Sequence, residues 1–210
     1  FAKYAVIYTN PISIGFPGKE SSFLLDMATS TVPCYKLEVY ARDEKEIPLV
    51  WATDEHGRPT KDANRVLENV LKRAGGGLLP LGGSEEETGG HKGYGLSVMV
   101  DLLSGGLSNG AMGTDLYKDP HQPSGVCHFF GVIHPDAFCG TRDLNAQVDW
   151  LMDLLHDLTP ANKKNHIFVA GEKELVAEKK FSDIIPLQKK VFDTLNDLGS
   201  SFDVSLVEVK

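Results

Sequence analysis

A run of glycines around a histidine and a lysine is the part of this sequence best suited to ligand chemistry. His91 and Lys92 lie between glycines 89–90 and Gly93, just ahead of an apolar, helix-periodic segment that begins at Leu96. Glycines allow the backbone to approach a ligand closely, and a helix N-terminus favours anions. With the charge of Lys92, the pattern predicts a phosphate or carboxylate site. A glycine-rich turn that carries a solvated lysine is the alternative.

Two familiar phosphate-binding motifs are excluded at this position. A Walker A loop requires Ser or Thr after Gly-Lys, but Lys92 is followed by Gly93. The dinucleotide fingerprint G-x-G-x-x-G requires a glycine three residues after Gly95, where this chain has Val98. A nucleotide bound here would therefore use neither a P-loop nor a Rossmann route.

The segment from Asp26 to Ser30 is a second candidate, because it follows a strand-like run and supplies small hydroxyl side chains. The ends of strands expose backbone N–H and hydroxyl donors to ligands. The alternative interpretation is a helix cap made by Thr29 or Ser30.

Composition narrows the class of protein. The chain has 210 residues, 41% of them hydrophobic, which suits one large domain or two small ones. Its net charge of −8 argues against nucleic acid or an anionic membrane surface as the main partner. No apolar run approaches the ~18 residues of a membrane span. Three cysteines without paired spacing indicate a reducing compartment, for which we expect the cytoplasm, and no Cys/His pattern predicts a metal site.

Periodicity predicts how the elements that position these residues are ordered. Strand-like runs occur at residues 4–8, 12–16, 23–26, 37–41, 126–133, 167–169 and 202–209. Helical spacing occurs at 62–74, 96–107, 144–158 and 187–198, with the apolar side chains of 96–107 expected in the core. Because strands and helices interleave, the sequence predicts an α/β fold with a mixed sheet flanked by helices. The acidic residues 84–88 are expected to form a solvated loop or, alternatively, a mobile lid.

Four short motifs follow one another along the chain: Thr9-Asn10-Pro11-Ile12-Ser13, Leu25-Asp26-Met27-Ala28-Thr29-Ser30, Leu79-Pro80-Leu81-Gly82-Gly83 and Gly90-His91-Lys92-Gly93-Tyr94-Gly95-Leu96. Their order resembles the malate/L-lactate dehydrogenase-2 family, which contains NAD(P)-dependent oxidoreductases of 2-hydroxyacids or ketimines. Later segments agree, at His128-Phe129-Phe130 and Gly171-Glu172. The resemblance therefore covers nearly the whole chain.

The resemblance implies a non-Rossmann NAD(P)-binding fold of the sulfolactate dehydrogenase type. Residues 1–210 would form the cofactor-binding domain together with C-terminal elements of the family fold. NAD or NADP would be the cofactor, a small 2-hydroxy or 2-oxo acid the substrate, and a homodimer the assembly. Carried over position by position, the cofactor contacts would be Leu24, Leu25, Asp26, Met27, Ala28, Thr29, Ser30, His91, Lys92, Gly171, Glu172 and Lys173.

The family's catalytic acid/base is a histidine near the N-terminus, beside an arginine that holds the substrate carboxylate. This chain begins eight residues before Thr9, so we expect a fragment that lacks this histidine and is inactive alone. Cys34 and Tyr35 stand where the family has a basic residue and a glycine, just before the lysine matched by Lys36, which puts substrate contacts there in question. The alternative function is a catalytically silent nucleotide-binding or dimerisation module.

Overall fold

The computed structural model describes residues 5–119, 121–162 and 166–204. Contacts divide the chain into two compact units, residues 1–170 and 171–210. Among the described residues, the first unit contains four strands and four α-helices, and the second contains two α-helices. The predicted α/β class is confirmed, although the sheets are small.

An antiparallel hairpin is the first element of the first unit. β1 (Ile12–Pro17) pairs with β2 (Ser22–Met27), with Ile12 opposite Met27. Both strands match the predicted runs. The helix α4 (Thr141–His156) packs against one face of this hairpin. Side chains alternate between the two faces along β2, and Phe23 packs against Val148 and Met152 of α4.

The turn of the hairpin is held by one carboxylate from α4. Asp149 accepts hydrogen bonds from the backbone N–H groups of Lys19 at 3.0 Å, Glu20 at 3.2 Å and Ser21 at 3.2 Å. Successive N–H groups in a turn form a concave anion site. Desolvation is the largest single influence and raises the pKa of Asp149, but the three N–H bonds and the charge of Lys19 together outweigh it, so the net pKa is lowered.

A second core joins two helices to a short antiparallel sheet. α1 (Cys34–Arg42) and α2 (Ala63–Lys72) pack beside β3 (Ala52–Thr53) and β4 (Gly77–Leu78). The buried residues at its centre are Leu37, Ile47, Ala52, Ala63 and Val66. The helix predicted at 62–74 corresponds to α2, and Asp62 caps it, because the Asp62 side chain accepts from the Arg65 N–H at 3.0 Å.

The strand predicted at residues 37–41 is wrong, since these residues lie within α1. Leu37, Tyr40 and Ala41 all pack into this core, and their spacing of three and four residues is helical. The alternation of Leu37, Val39 and Ala41 favours a strand, but the structure follows the helical spacing instead.

α3 (Gly90–Asp101) continues into a π-helical turn, Leu102–Gly106. Its buried face is made of small residues, Gly90, Gly93 and Ser97. The predicted apolar core face is therefore wrong in part: Met99 and Leu107 are exposed. On its buried side, α3 instead packs its backbone directly against other backbone, and only small residues leave space for this contact.

The second unit consists of α5 (Glu172–Lys180) and α6 (Lys189–Ser200). Glutamates in the first turn of α5 and lysines in its last turn complement the helix dipole. The predicted helices at 144–158 and 187–198 correspond to α4 and α6. Among the described helices, none combines the length and apolar character that crossing a membrane requires.

The mixed sheet is corrected to two separate two-stranded antiparallel sheets in the described part of the chain. Residues 5–8, 126–133 and 167–169 do not form strands. The apolar run 126–133 is also not buried, since Phe130 is 88% and Val132 98% exposed. An apolar sequence becomes a strand only when a neighbour completes its hydrogen bonds, and these segments have no such neighbour among the described residues. Of the strand predicted at 202–209, residues 205–210 lie outside the described residues.

Candidate functional site

The candidate segment that follows β2 lies between two other stretches of backbone. The Thr29 N–H donates to the Thr9 carbonyl at 2.9 Å, and its hydroxyl donates to the Asn10 carbonyl at 3.0 Å. On the other side, the Leu81 N–H donates to the Thr29 carbonyl at 2.9 Å. Three of the four motifs of the sequence therefore meet at Thr29.

The hydroxyls of this segment form internal hydrogen bonds. Thr29 is only 1% exposed, and Ser30 donates its hydroxyl to the Val32 carbonyl at 2.8 Å. Neither residue caps a helix, because α1 begins after Pro33, which makes no side-chain cap. The alternative interpretation as a helix cap is therefore wrong. In the structure, Thr29 and Ser30 hold the local backbone in place.

The fourth motif meets the third through glycines. Gly93 of α3 lies against Leu81, and a Cβ added at Gly93 would stand 2.6 Å from the Leu81 amide nitrogen. Gly82 adopts a φ of +93° and lies as closely against Gly89 and Gly90. Contacts this close exclude any side chain at Gly82 or Gly93. These glycines thus bring the loop 79–83 onto the first turns of α3.

Asn10 was missed as a site residue by sequence reasoning. Its side-chain amide donates to the Ser97 carbonyl at 2.9 Å and to the Asp101 carboxylate at 3.3 Å. The Asp101 carboxylate also accepts from the Gly113 N–H at 3.0 Å. A buried Asn with positive φ fixes the first motif to α3. The signal available in the sequence was an Asn directly before a proline, a pair typical of turns.

His91 and Lys92 lie exposed in the first turn of α3. In the part of the chain that the structure describes, Lys92 has no ion-pair partner. The Lys92 side chain runs beside Gly89, where an added Cβ would stand 3.7 Å from its Cδ. An exposed, unpaired ammonium at a helix N-terminus is a suitable group to receive an anion.

The acidic loop 84–88 is fastened to the same helix end by its backbone. The Gly90 N–H donates to the Glu85 carbonyl at 3.0 Å, and the Gly89 N–H donates to the Glu86 carbonyl at 3.0 Å. Thr88 donates its hydroxyl to the carbonyls of Gly82 and Glu85. The loop is solvent-exposed at residues 85–88, as one of the two interpretations predicted.

A cleft of about 510 Å³ opens beside this junction. Its polar side is formed by Ser84, Glu85 and Thr88 and its glycine side by Gly82 and Gly83. The other walls are Thr31, Leu49, Val50, Trp51, Pro59, Leu79 and Leu81. Ligand pockets fall in this size range and are mostly apolar with a few polar groups.

The remaining predicted contacts lie elsewhere. Along β2, Leu24 and Asp26 are exposed while Leu25 and Met27 are half-buried, and Ala28 is half-buried after the strand. Gly171, Glu172 and Lys173 belong to the second unit. Gly171 precedes α5 with a φ of +96°, and the other two residues begin the helix. The structure thus gathers Thr29, Ser30, His91 and Lys92 around the loop 79–83.

Comparison with known proteins agrees with the motifs. The family described as malate/L-lactate dehydrogenase matches residues 1–196. A malate dehydrogenase of Pyrococcus abyssi is 40% identical over 205 residues, which is 97% of this chain and 55% of the relative. An L-sulfolactate dehydrogenase of Methanocaldococcus jannaschii is 30% identical over 207 residues, 97% of this chain and 55% of the relative. The chain spans about half the length of these relatives.

Solved structures show the same likeness in three dimensions. The malate dehydrogenase of Entamoeba histolytica superimposes with a TM-score of 0.87 at 30% identity, over 99% of this chain and 61% of that one. The malate dehydrogenase of Pyrococcus horikoshii gives a TM-score of 0.78 at 34% identity, over 96% of this chain and 53% of that one. Together with the four motifs and their meeting point at Thr29 and Gly93, these likenesses show that the chain belongs to the malate/L-lactate dehydrogenase family.

Proposed function

We propose that this chain binds NAD or NADP as the cofactor-binding part of a 2-hydroxyacid dehydrogenase of the malate/lactate type. The observation that carries the proposal is the position of Lys92, an exposed cation at the helix end where the motif segments converge. The malate and L-sulfolactate dehydrogenases among its relatives support the substrate class. We extend the proposal to a non-Rossmann cofactor fold of the sulfolactate dehydrogenase type, a homodimeric assembly and a cytoplasmic location.

The residues present suit a dinucleotide. Lys92 and the N-terminus of α3 match the charge of a pyrophosphate, and His91 in the same turn offers a further donor. The glycine contacts at Gly82 and Gly93 keep side chains away from the backbone there. We also assign to cofactor binding the residues Leu24, Leu25, Asp26, Met27, Ala28, Thr29, Ser30, Gly171, Glu172 and Lys173, with Thr29 and Ser30 acting by fixing the backbone.

Bound nicotinamide supplies the carbon that accepts a hydride from C2 of the hydroxyacid. The protein has to hold that ring in place and keep water away from it. Lys92 would help to hold the ring in place by binding the phosphates, and the Thr29 hydrogen bonds would help by fixing the backbone beside the cofactor. We assign the proton transfer to none of residues 1–210 and expect this chain to be inactive alone.

The test is a titration of the chain with NADH and with NADPH, followed by nicotinamide fluorescence. We expect Lys92→Ala to weaken binding about tenfold or more, because a charge-assisted hydrogen bond contributes about 1.5–3 kcal/mol. Lys118→Ala is the matched control, since Lys118 is exposed and pairs with nearby Asp115 at 3.1 Å. Equal affinities for both variants would count against the proposal.

A further inference from the structure

The cleft beside the loop 79–83 is lined by apolar side chains of the kind that folded proteins usually bury. Leu49 is 48% exposed and Val50 65% exposed, and both line the cleft with half-buried Trp51. The Trp51 ring is held edge-on against Tyr40 at 5.0 Å between centroids. Apolar walls around a fixed aromatic ring favour a flat, weakly polar group such as a purine base.

The cleft adjoins both parts of the proposed cofactor site. Thr31, in its wall, directly follows the segment that ends at Ser30, and its hydroxyl donates to the Trp51 carbonyl at 3.1 Å. Gly82, which also lines the cleft, touches Gly89, beside which the Lys92 side chain runs. A ligand whose phosphates meet Lys92 could therefore reach the cleft with its other end.

The polar side of the cleft carries negative charge. Glu85 lines it, and the Ser84 hydroxyl donates to the Glu85 carboxylate at 3.0 Å. The backbone of Glu85 is fixed by bonds from Gly90 and Thr88. The cleft lining contains no lysine, arginine or histidine among the described residues. A carboxylate accepts hydrogen bonds from ribose hydroxyls and repels a phosphate at the 2′ position.

We propose that this cleft takes the adenosine end of the dinucleotide and that Glu85 selects NAD over NADP. The inference rests on the proposed function, which left the choice between the two cofactors open. Coulomb repulsion between two unit charges 4 Å apart in water corresponds to about a fivefold change in affinity, and a phosphate carries more than one charge. We therefore expect NAD to bind at least about fivefold more tightly than NADP.

The first experiment locates the adenosine end. The chain contains two tryptophans, and Trp150 is an exposed residue of α4 that does not line the cleft. In a Trp150→Phe variant, Trp51 emission reports on the cleft alone. We expect NAD⁺ to change this emission saturably, with the same dissociation constant that calorimetry gives. NAD⁺ binding by calorimetry with unchanged Trp51 emission would overturn the inference and leave the proposed function standing.

The second experiment tests selection by charge. Glu85→Gln should narrow the ratio of NAD⁺ to NADP⁺ affinity at least threefold, mainly by improving NADP⁺ binding. Glu87→Gln removes the same charge from the same loop, but Glu87 does not line the cleft, so this variant should keep the wild-type ratio. An unchanged ratio in Glu85→Gln, or tighter binding of NADP⁺ than NAD⁺ by the wild type, overturns the inference. Binding of neither dinucleotide by calorimetry overturns the proposed function as well.

Discussion

Gly93 of α3 and Leu81 of the preceding loop touch through their backbones, with no space for a side chain between them. This contact joins the loop 79–83 to the helix that carries Lys92. The glycines at this junction therefore have a structural use that is separate from any approach of a ligand.

Replacing Gly93 with alanine should separate the loop from the helix. Forcing a methyl group into a close-packed contact costs about 1–3 kcal/mol, and we expect this loss in the free energy of unfolding measured with urea. Gly95→Ala is the control in the same helix, because an added Cβ at Gly95 meets nothing within 4 Å. That variant should gain about 0.5–1 kcal/mol from helix propensity. Equal stabilities of the two variants would contradict the close backbone contact between Gly93 and Leu81.

Thr29→Val should weaken the junction of the motifs without changing the shape of the side chain. The variant removes the hydroxyl that donates to the Thr9 and Asn10 carbonyls. The Thr9 carbonyl keeps the Thr29 N–H as a donor, so the expected cost is that of the buried Asn10 carbonyl losing its donor, about 1–3 kcal/mol. We expect this loss in urea unfolding, together with weaker NADH binding. Thr29→Ser keeps the hydroxyl and should lose less. If the valine variant is as stable as the serine variant, the hydroxyl has no structural role.

The Glu55–Arg65 pair should make stability depend on pH. Hydrogen bonds to Glu55 from Arg65, from its own backbone N–H and from Asn69 lower the pKa of Glu55 to about 2. A lowered carboxylate pKa stabilises the fold above the unfolded value of about 4.3, and this contribution is lost as pH falls from there towards 2. Urea unfolding at pH 3.5 and at pH 7 measures the difference.

Arg65→Met should flatten this pH dependence and lower stability at pH 7. The control is Lys61→Met, which breaks an exposed pair with Glu46 at 3.0 Å and should leave stability and its pH dependence nearly unchanged. A pH dependence in Arg65→Met as steep as that of the wild type would show that the pair does not control it.

Local patterns predicted the elements whose paired residues lie close together in the sequence. The strand-like runs at 12–16 and 23–26 lie in β1 and β2, and α2 has both a cap at Asp62 and an apolar stripe. The resemblance assigned residues 24–30 and 91–92 to one cofactor site, and the structure joins Thr29 to Leu81 and Leu81 to Gly93.

The errors arose where distant contacts decide the outcome. Residues 126–133 have the composition of a strand, but no described segment pairs with them. α3 buries glycines and a serine and leaves Met99 exposed, because the loop 79–83 approaches its backbone. Asn10 contacts residues 87 and 91 positions away in the chain, and spacing within the sequence cannot reveal such partners.

The carboxylate of Asp149 also affects the order in which this chain can fold. Lys19 in the hairpin turn is 130 positions ahead of Asp149 in the sequence. During synthesis from the N-terminus, the hairpin leaves the ribosome long before α4 exists, and an isolated two-stranded hairpin is marginally stable at best. We therefore expect the strand β2, which leads into Thr29, to become stably folded only after α4 has been synthesised. Contacts of this sequence separation also slow folding.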